Sequence, residues 1–175
     1  MWRASILLAA GLAATAGTPD VWLDIPFVHQ EKNGCGAASL SMVMRYWKQQ
    51  GVATIPDPDP AEIQRALYAP KARGIYGRDM ERYLENAGFR VFIFRGRWED
   101  LAEHVAKRRP LIACLRESSR GPMHYVVVAG VSEGDDTVMI NDPARRKLLK
   151  LNRKDFETDW GAADQWTLLA VPSIQ

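Results

Sequence analysis

Apolar residues recur at three- and four-residue intervals in the first half of the chain. The clearest stripe consists of Ala37, Leu40, Val43, Met44 and Trp47. This spacing places the five side chains on one face of a half-buried helix at 36–50. Shorter stretches with the same periodicity predict three more helices, at 61–68, 78–86 and 98–108.

Beyond Pro110 the pattern changes to short apolar or alternating runs, which are typical of strands. These runs predict strands at 111–116, 124–131, 137–141, 147–151 and 165–171. One strand, at 89–94, precedes Pro110, and one short helix, at 153–160, interrupts the later strands. This order predicts an α+β domain in which an N-terminal helical part packs on a C-terminal antiparallel sheet.

The first residues have the features of a secretory signal peptide. Arg3 supplies a positive charge, the stretch 6–16 is small and apolar, and Ala14-Thr15-Ala16 has the form of a cleavage site. The apolar stretch is shorter than the roughly 20 residues that span a membrane, although a retained anchor is the alternative. We predict a signal peptide at 1–16, no stable membrane insertion after its removal, and a secreted or periplasmic bacterial domain at 17–175.

The composition fits one globular domain of ordinary size. The chain has 175 residues, of which 47% are hydrophobic, enough for a single core. Its 23 Lys and Arg and 21 Asp and Glu residues give a formal net charge of +2. Because these charges are spread along the chain, we expect no nucleic-acid partner. We also expect a monomeric protein.

The two cysteines lie in different contexts. Cys114 falls in an apolar strand pattern, where cysteine behaves as a small hydrophobic residue. Cys35 lies between Gly34 and Gly36 at the start of the first helix, where the partial positive charge of the helix N-terminus favours a thiolate. These contexts favour Cys35 as a nucleophile. A Cys35–Cys114 disulfide is the structural alternative in an oxidising compartment.

Gln30 precedes Cys35 by five residues, and we predict that it belongs to the same site as an oxyanion-binding group. Its side-chain amide and the Cys35 backbone N–H can together hold an oxygen that becomes negative during acyl transfer. Gly36 leaves room for a substrate backbone to approach.

His124 is the first residue of a predicted strand, and the next predicted strand leads directly to Asp142. If Glu133 and Asp135 flank the intervening hairpin turn symmetrically, the numbers of paired residues sum to about 268. Val126 then lies opposite Asp142, which makes His124 and Asp142 diagonal neighbours. Such neighbours can reach each other, but a one-residue slip would send Asp142 to the other face. We predict that Asp142 orients His124, the base for the thiol.

The other two histidines fit this role less well. His104 falls within a predicted helix, and His29 directly precedes Gln30, where it is a reserve candidate for substrate contact. The two cysteines are far apart in sequence, and neither H-E-x-x-H nor C-x-x-C occurs. We therefore expect neither a metal nor a cofactor.

Three motifs, taken together, resemble those of the C39-like cysteine peptidases, a branch of the papain-like fold. They lie at 25–40, 124–130 and 140–144. Each motif alone also fits a structural turn or strand end, but their order resembles the family over most of the chain after the signal. The resemblance implies a papain-like fold with Cys35 as nucleophile, His124 as general base and acid, Asp142 as orienting carboxylate and Gln30 as oxyanion-hole donor.

The function expected from these residues is hydrolysis of a peptide or related amide bond by an exported cysteine peptidase. The substrate would be a peptide or protein, and the reaction would pass through a thioester on Cys35. The alternative is a non-catalytic module on the same fold that binds peptides in the same cleft.

Overall fold

The computed structural model describes residues 21–118 and 121–173. The predicted signal peptide at 1–16 lies outside these residues. Within the described ranges, no helix combines the length and apolar character that crossing a membrane requires.

The helices and strands follow the order predicted from the hydrophobic pattern. The helices are α1 (Cys35–Gln49), α2 (Pro60–Leu67), α3 (Gly77–Asn86), α4 (Trp98–Ala106) and α5 (Arg153–Gly161). The strands are β1 (Val21–Trp22), β2 (Phe89–Arg95), β3 (Leu111–Leu115), β4 (His124–Ser132), β5 (Thr137–Asn141), β6 (Leu149–Asn152) and β7 (Trp166–Pro172). The predicted α+β class is confirmed, because helices and antiparallel strands occupy the predicted segments.

All strand pairs in the described part of the chain are antiparallel, and they form one sheet. Its order is β2-β7-β3-β4-β5-β6, and β1 pairs with β4. Every residue of β3 is buried, and β4 is buried from Val126 onward, so these two central strands form the middle of the core. Helix α1 packs against β4, which brings the first residue of the helix close to the first residue of the strand.

The hairpin between β4 and β5 has a wider turn than the symmetric one predicted from the sequence. Ser132 pairs with Thr137, so the paired residue numbers, 132 and 137, sum to 269 beside the turn. The prediction that Glu133 and Asp135 flank the turn is therefore wrong by one residue. The backbone N–H of Asp135 donates to the Ser132 hydroxyl at 3.2 Å, which stabilises the wider turn.

A β-bulge restores the predicted register at the other end of this hairpin. Between Val128 and Gly130 the register shifts by one residue, and beyond the shift the paired numbers sum to 268 again. Because successive side chains of a strand point to opposite faces, a one-residue slip would turn Asp142 away from His124. The extra residue, Ala129, thus determines the face on which Asp142 lies.

Close packing beside this hairpin involves Gly77, the first residue of α3. A Cβ atom at this position would lie 2.7 Å from Cζ2 of Trp166, closer than two carbons approach. The Trp166 indole cannot retreat freely, because it packs on the ring of Tyr125 at a centroid distance of 5.2 Å. The absence of a side chain at Gly77 is therefore a packing requirement.

We expect Gly77→Ala to lower the free energy of unfolding by about 1–3 kcal/mol, the usual cost of overpacking. Chemical denaturation followed by circular dichroism measures this change. Gly161→Ala is the matched control, because a Cβ at Gly161 meets no atom within 4 Å. Equal unfolding midpoints for the two variants would contradict the packing requirement.

Candidate active site

Cys35 is placed by a tight turn followed at once by a helix. The Gly34 N–H donates to the Glu31 carbonyl at 2.9 Å, and Asn33 has a left-handed φ of 59°. Asparagine is one of the few residues that adopt this conformation readily. The chain then enters α1, so the half-buried thiol of Cys35 lies at the helix N-terminus.

The surroundings of the thiol favour its ionised form. Burial raises the pKa of Cys35, but hydrogen bonds with the His124 side chain and the Tyr125 backbone outweigh this effect and hold the pKa below its usual range. The Gly36 backbone N–H contributes in the same direction. The helix N-terminus adds a further partial positive charge.

His124, the first residue of β4, links Cys35 to Asp142. Its Nε2–H donates to Oδ1 of Asp142 at 2.8 Å, which leaves Nδ1 as the ring nitrogen available to the thiol. Burial lowers the pKa of His124, but the hydrogen bonds with Asp142 and Cys35 raise it to about 9. A lowered thiol pKa beside a raised imidazole pKa favours a thiolate–imidazolium pair at neutral pH.

Asp142 is a buried carboxylate, 6% exposed, directly after β5. Its Oδ1 also accepts the Ala144 N–H at 2.9 Å, and its Oδ2 lies 3.7 Å from Nε of Arg145. Burial raises the pKa of this carboxyl, but the hydrogen bond to His124 and the nearby positive charges hold it below the ordinary value. The carboxylate therefore stays ionised and fixes the orientation of the imidazole.

The loop that carries Asp142 is attached to the N-terminal segment. Asn141 is fully buried: its Nδ2 donates to the Ile25 carbonyl at 3.3 Å, and its Oδ1 accepts the Leu148 N–H at 2.9 Å. The Gln30 N–H donates to the Pro143 carbonyl at 2.9 Å. The segment that leads to Cys35 and the loop that carries Asp142 are thus held together by one side-chain and one backbone hydrogen bond.

The structure brings Cys35, His124 and Asp142 into one hydrogen-bonded chain, and the catalytic roles expected for them stay predictions. Gln30 lies beside the same loop, and its Oε1 is buried with no hydrogen-bond partner among the described residues. His104 lies in α4 with its ring against Phe94, and does not join this chain.

His29, the reserve candidate for substrate contact, is exposed. Its Nδ1 lies 3.1 Å from the backbone carbonyl of Gln30, and its ring packs edge-on against Phe27. Its role in substrate contact stays a prediction.

Cys114 is a second, chemically different thiol. It is buried, its Sγ lies 3.4 Å from Sδ of Met123, and burial raises its pKa to about 12. Both cysteines are free in the structure, so the alternative Cys35–Cys114 disulfide is not formed. At neutral pH Cys114 remains protonated, in contrast to Cys35.

Two contributions to the site were missed in the sequence. The Tyr125 backbone bonds to the Cys35 thiol, and the Tyr125 carbonyl accepts the Ser39 hydroxyl at 3.3 Å, which ties α1 to β4. No side-chain pattern signals a backbone contact of this kind. Arg145 beside Asp142 could have been found, because a cation three residues after a carboxylate in a turn can pair with it.

Known proteins resemble this chain in sequence pattern and in fold. The chain matches the model of the Peptidase_C39 like family over residues 22–167. A C39-like peptidase from Bacillus anthracis is similar in structure, with a TM-score of 0.68 and 17% identity over 90% of this chain and 100% of that one. The peptidase domain of Streptococcus ComA, a bifunctional ABC transporter in a quorum-sensing pathway, has a TM-score of 0.67 and 19% identity over 84% and 98%.

A double glycine motif protease from an AMS/PCAT transporter, solved in complex with its leader peptide, is also similar in structure. Its TM-score is 0.64, and it is 23% identical over 91% of this chain and 96% of that one. At these identities the solved structures establish the papain-like fold. No curated protein sequence matches the chain significantly.

We expect Asp142→Asn to slow alkylation of Cys35 by iodoacetamide at pH 6 about tenfold. Loss of the carboxylate charge lowers the pKa of His124. In the variant, His124 therefore loses its proton at a lower pH than in the unmodified protein, and the thiolate loses the imidazolium that stabilises it. The labelling rate as a function of pH measures this effect. Cys114 does not interfere, because it is buried and has a high pKa.

Asp57→Asn is the control for this experiment, because the Asp57 side chain is 88% exposed and, among the described residues, forms a salt bridge with Lys48 alone. An Asp142→Asn profile identical to that of the control would contradict the coupling between the carboxylate and the thiol.

Proposed function

Because this chain belongs to the Peptidase_C39 like family and has a papain-like fold, we propose that it is a cysteine peptidase whose nucleophile is Cys35. The observation that carries the proposal is the hydrogen-bonded chain from Cys35 through His124 to Asp142. A thiolate beside an imidazolium supplies both the nucleophile and the proton donor that amide cleavage needs.

In the proposed reaction, the Cys35 thiolate attacks the carbonyl carbon of an amide bond and forms a tetrahedral oxyanion. The His124 imidazolium gives its proton to the leaving nitrogen, the C–N bond breaks, and a thioester on Cys35 remains. Neutral His124 then takes a proton from water, and the resulting hydroxide attacks the thioester. The acid product leaves, and the thiolate–imidazolium pair re-forms. Asp142 keeps the imidazole in one tautomer and orientation throughout.

The oxyanion would be held at the N-terminus of α1. The backbone N–H of Cys35 belongs to the first helical turn, where amide hydrogens have no partner within the helix. The Gln30 side chain is the second proposed donor, because its backbone is attached to the loop that carries Asp142. Donors fixed before the reaction stabilise the developing charge without reorganising.

A peptide is the proposed substrate class. The similar protease from an AMS/PCAT transporter was solved with a leader peptide, and that precedent supports a peptide ligand for the same fold. We propose further that the reaction uses neither a metal nor a cofactor, because the Cys35–His124 pair already provides nucleophile and acid. We also propose that the protein acts as a monomer, because Cys35, His124 and Asp142 all come from one chain.

We expect Cys35→Ala to reduce peptide cleavage to background and Gln30→Ala to reduce it about 10²-fold to 10³-fold, the usual cost of one oxyanion donor. Profiling against a peptide library, with the acyl-enzyme on Cys35 identified by mass spectrometry, measures both effects. Equal residual activity in the two variants would contradict the assignment. Binding of library peptides by the unmodified protein without turnover would instead favour the non-catalytic module.

Export is a separate proposal, supported by the charged and apolar pattern of residues 1–16. We expect a bacterial host to secrete the protein or release it into the periplasm, with a mature N-terminus at Gly17. N-terminal sequencing and intact mass of the fractionated protein measure this. Full-length protein recovered only from the cytosol would contradict export, and full-length protein in the membrane fraction would indicate a retained anchor.

A further inference from the structure

A cavity of about 530 Å³ lies beside the turn that leads to Cys35. It is broadly open to solvent and is lined by Lys32, Asn33, Gln64, Arg65 and Tyr68. The cavity is therefore formed by the turn before α1 and by one face of α2 and the residue after it.

The walls of the cavity carry two unpaired positive charges. Lys32 and Arg65 are both exposed, and neither forms a salt bridge with any described residue. The nearby acids Glu31 and Glu62 do not line the cavity. Its charged walls are thus positive and have no internal counter-ion.

The other lining groups also present hydrogen-bond donors. The Tyr68 hydroxyl accepts the Asn33 Nδ2–H at 3.5 Å, so the hydroxyl proton is left to donate outward. Ammonium, guanidinium and hydroxyl donors arranged around one open space match the acceptor oxygens of a carboxylate.

Gln64, which lines the cavity, joins α2 to the turn that precedes Cys35. Its Nε2–H donates to the Asn33 carbonyl at 3.3 Å, so α2 and the turn before Cys35 are hydrogen-bonded to each other. Its Oε1 is buried and has no partner among the described residues, so the bond through Nε2 is the contact that ties this side chain to the turn.

The cavity is close enough to the nucleophile to contact a residue near the scissile bond. Asn33 precedes Cys35 by two residues, a stretch of chain that spans at most about 7 Å. One residue of an extended peptide spans about 3.3 Å. A peptide that runs from Cys35 toward α2 would therefore bring a residue about two positions from the cleaved bond to the cavity.

We propose that this cavity is a substrate subsite in which Lys32 and Arg65 bind a carboxylate of the peptide close to the scissile bond. The subsite rests on the proposed peptidase function for its biological role, but its binding chemistry can be measured without turnover. The carboxylate comes from an Asp or Glu side chain or from a peptide C-terminus, and both sources present the same acceptor oxygens.

The test is binding of labelled octapeptides to the full chain carrying Cys35→Ala, measured by fluorescence anisotropy. Three peptide sets are random except at one position, are amidated at the C-terminus, and carry Glu, Gln or Lys, respectively, at each position in turn. A fourth set has a free C-terminus. We expect Glu to bind about fivefold to twentyfold tighter than Gln at one or two positions, because partly exposed ion pairs each change affinity only a few-fold. This preference should weaken in 0.5 M salt.

The charge variant for this test adds Lys32→Gln and Arg65→Gln, and the matched control adds Arg90→Gln and Lys154→Gln, two exposed cations on β2 and α5. The control should keep the Glu preference and the charge variant should lose it. A preference confined to the free C-terminus supports the same subsite with a terminal carboxylate as ligand. Equal binding of the carboxylate and amide sets, or a preference that survives in the charge variant, overturns the subsite.

Turnover by the protein with Cys35 intact separates this proposal from the proposed function. If the Cys35→Ala protein prefers carboxylate peptides but the intact protein cleaves none of them, the subsite stands and the peptidase assignment fails. If the intact protein cleaves peptides and the Cys35→Ala protein binds the Glu and Gln sets equally, the peptidase assignment stands and the subsite fails.

Discussion

The hydrogen bond between His124 and Asp142 is the interaction on which the geometry of the site depends. It joins the first residue of β4 to the residue that follows β5, and Nε2 of His124 lies 2.8 Å from Oδ1 of Asp142. This contact requires the correct pairing register of two strands over their whole length. The wide turn displaces that register by one residue, and the bulge at Ala129 corrects it. A feature of the sheet core therefore determines whether the histidine has a carboxylate partner.

From this hydrogen bond the remaining electrostatics follow. The carboxylate raises the pKa of His124, and the charged imidazole in turn lowers the pKa of the Cys35 thiol. The thiol is in reach only because α1 packs on β4, where the Ser39 hydroxyl bonds to the Tyr125 carbonyl. Burying such a pair is costly unless every group is matched, and here hydrogen bonds and the helix N-terminus match both charges.

Much of the fold was predictable, because helices and strands have different hydrophobic periods. The stripe along α1 and the apolar runs of β3 and β4 are strong signals of this kind. The bulge was missed, although Gly130 lies beside Ala129 inside the strand pattern and a glycine at such a position often marks a bulge. The predicted proximity of His124 and Asp142 agrees with the structure, although it rested on a wrong turn. The cavity beside α2 was also missed, because it depends on how a helix face meets a turn.

The protonation state of His124 tests the central claim most directly. The chain has three histidines, so ¹⁵N NMR can follow each imidazole separately as pH is raised. If Asp142 and the Cys35 thiolate hold the proton on the ring, His124 stays charged until about pH 9. Titration of His124 near its ordinary pKa of about 6.5, or below it, would contradict a thiolate–imidazolium pair.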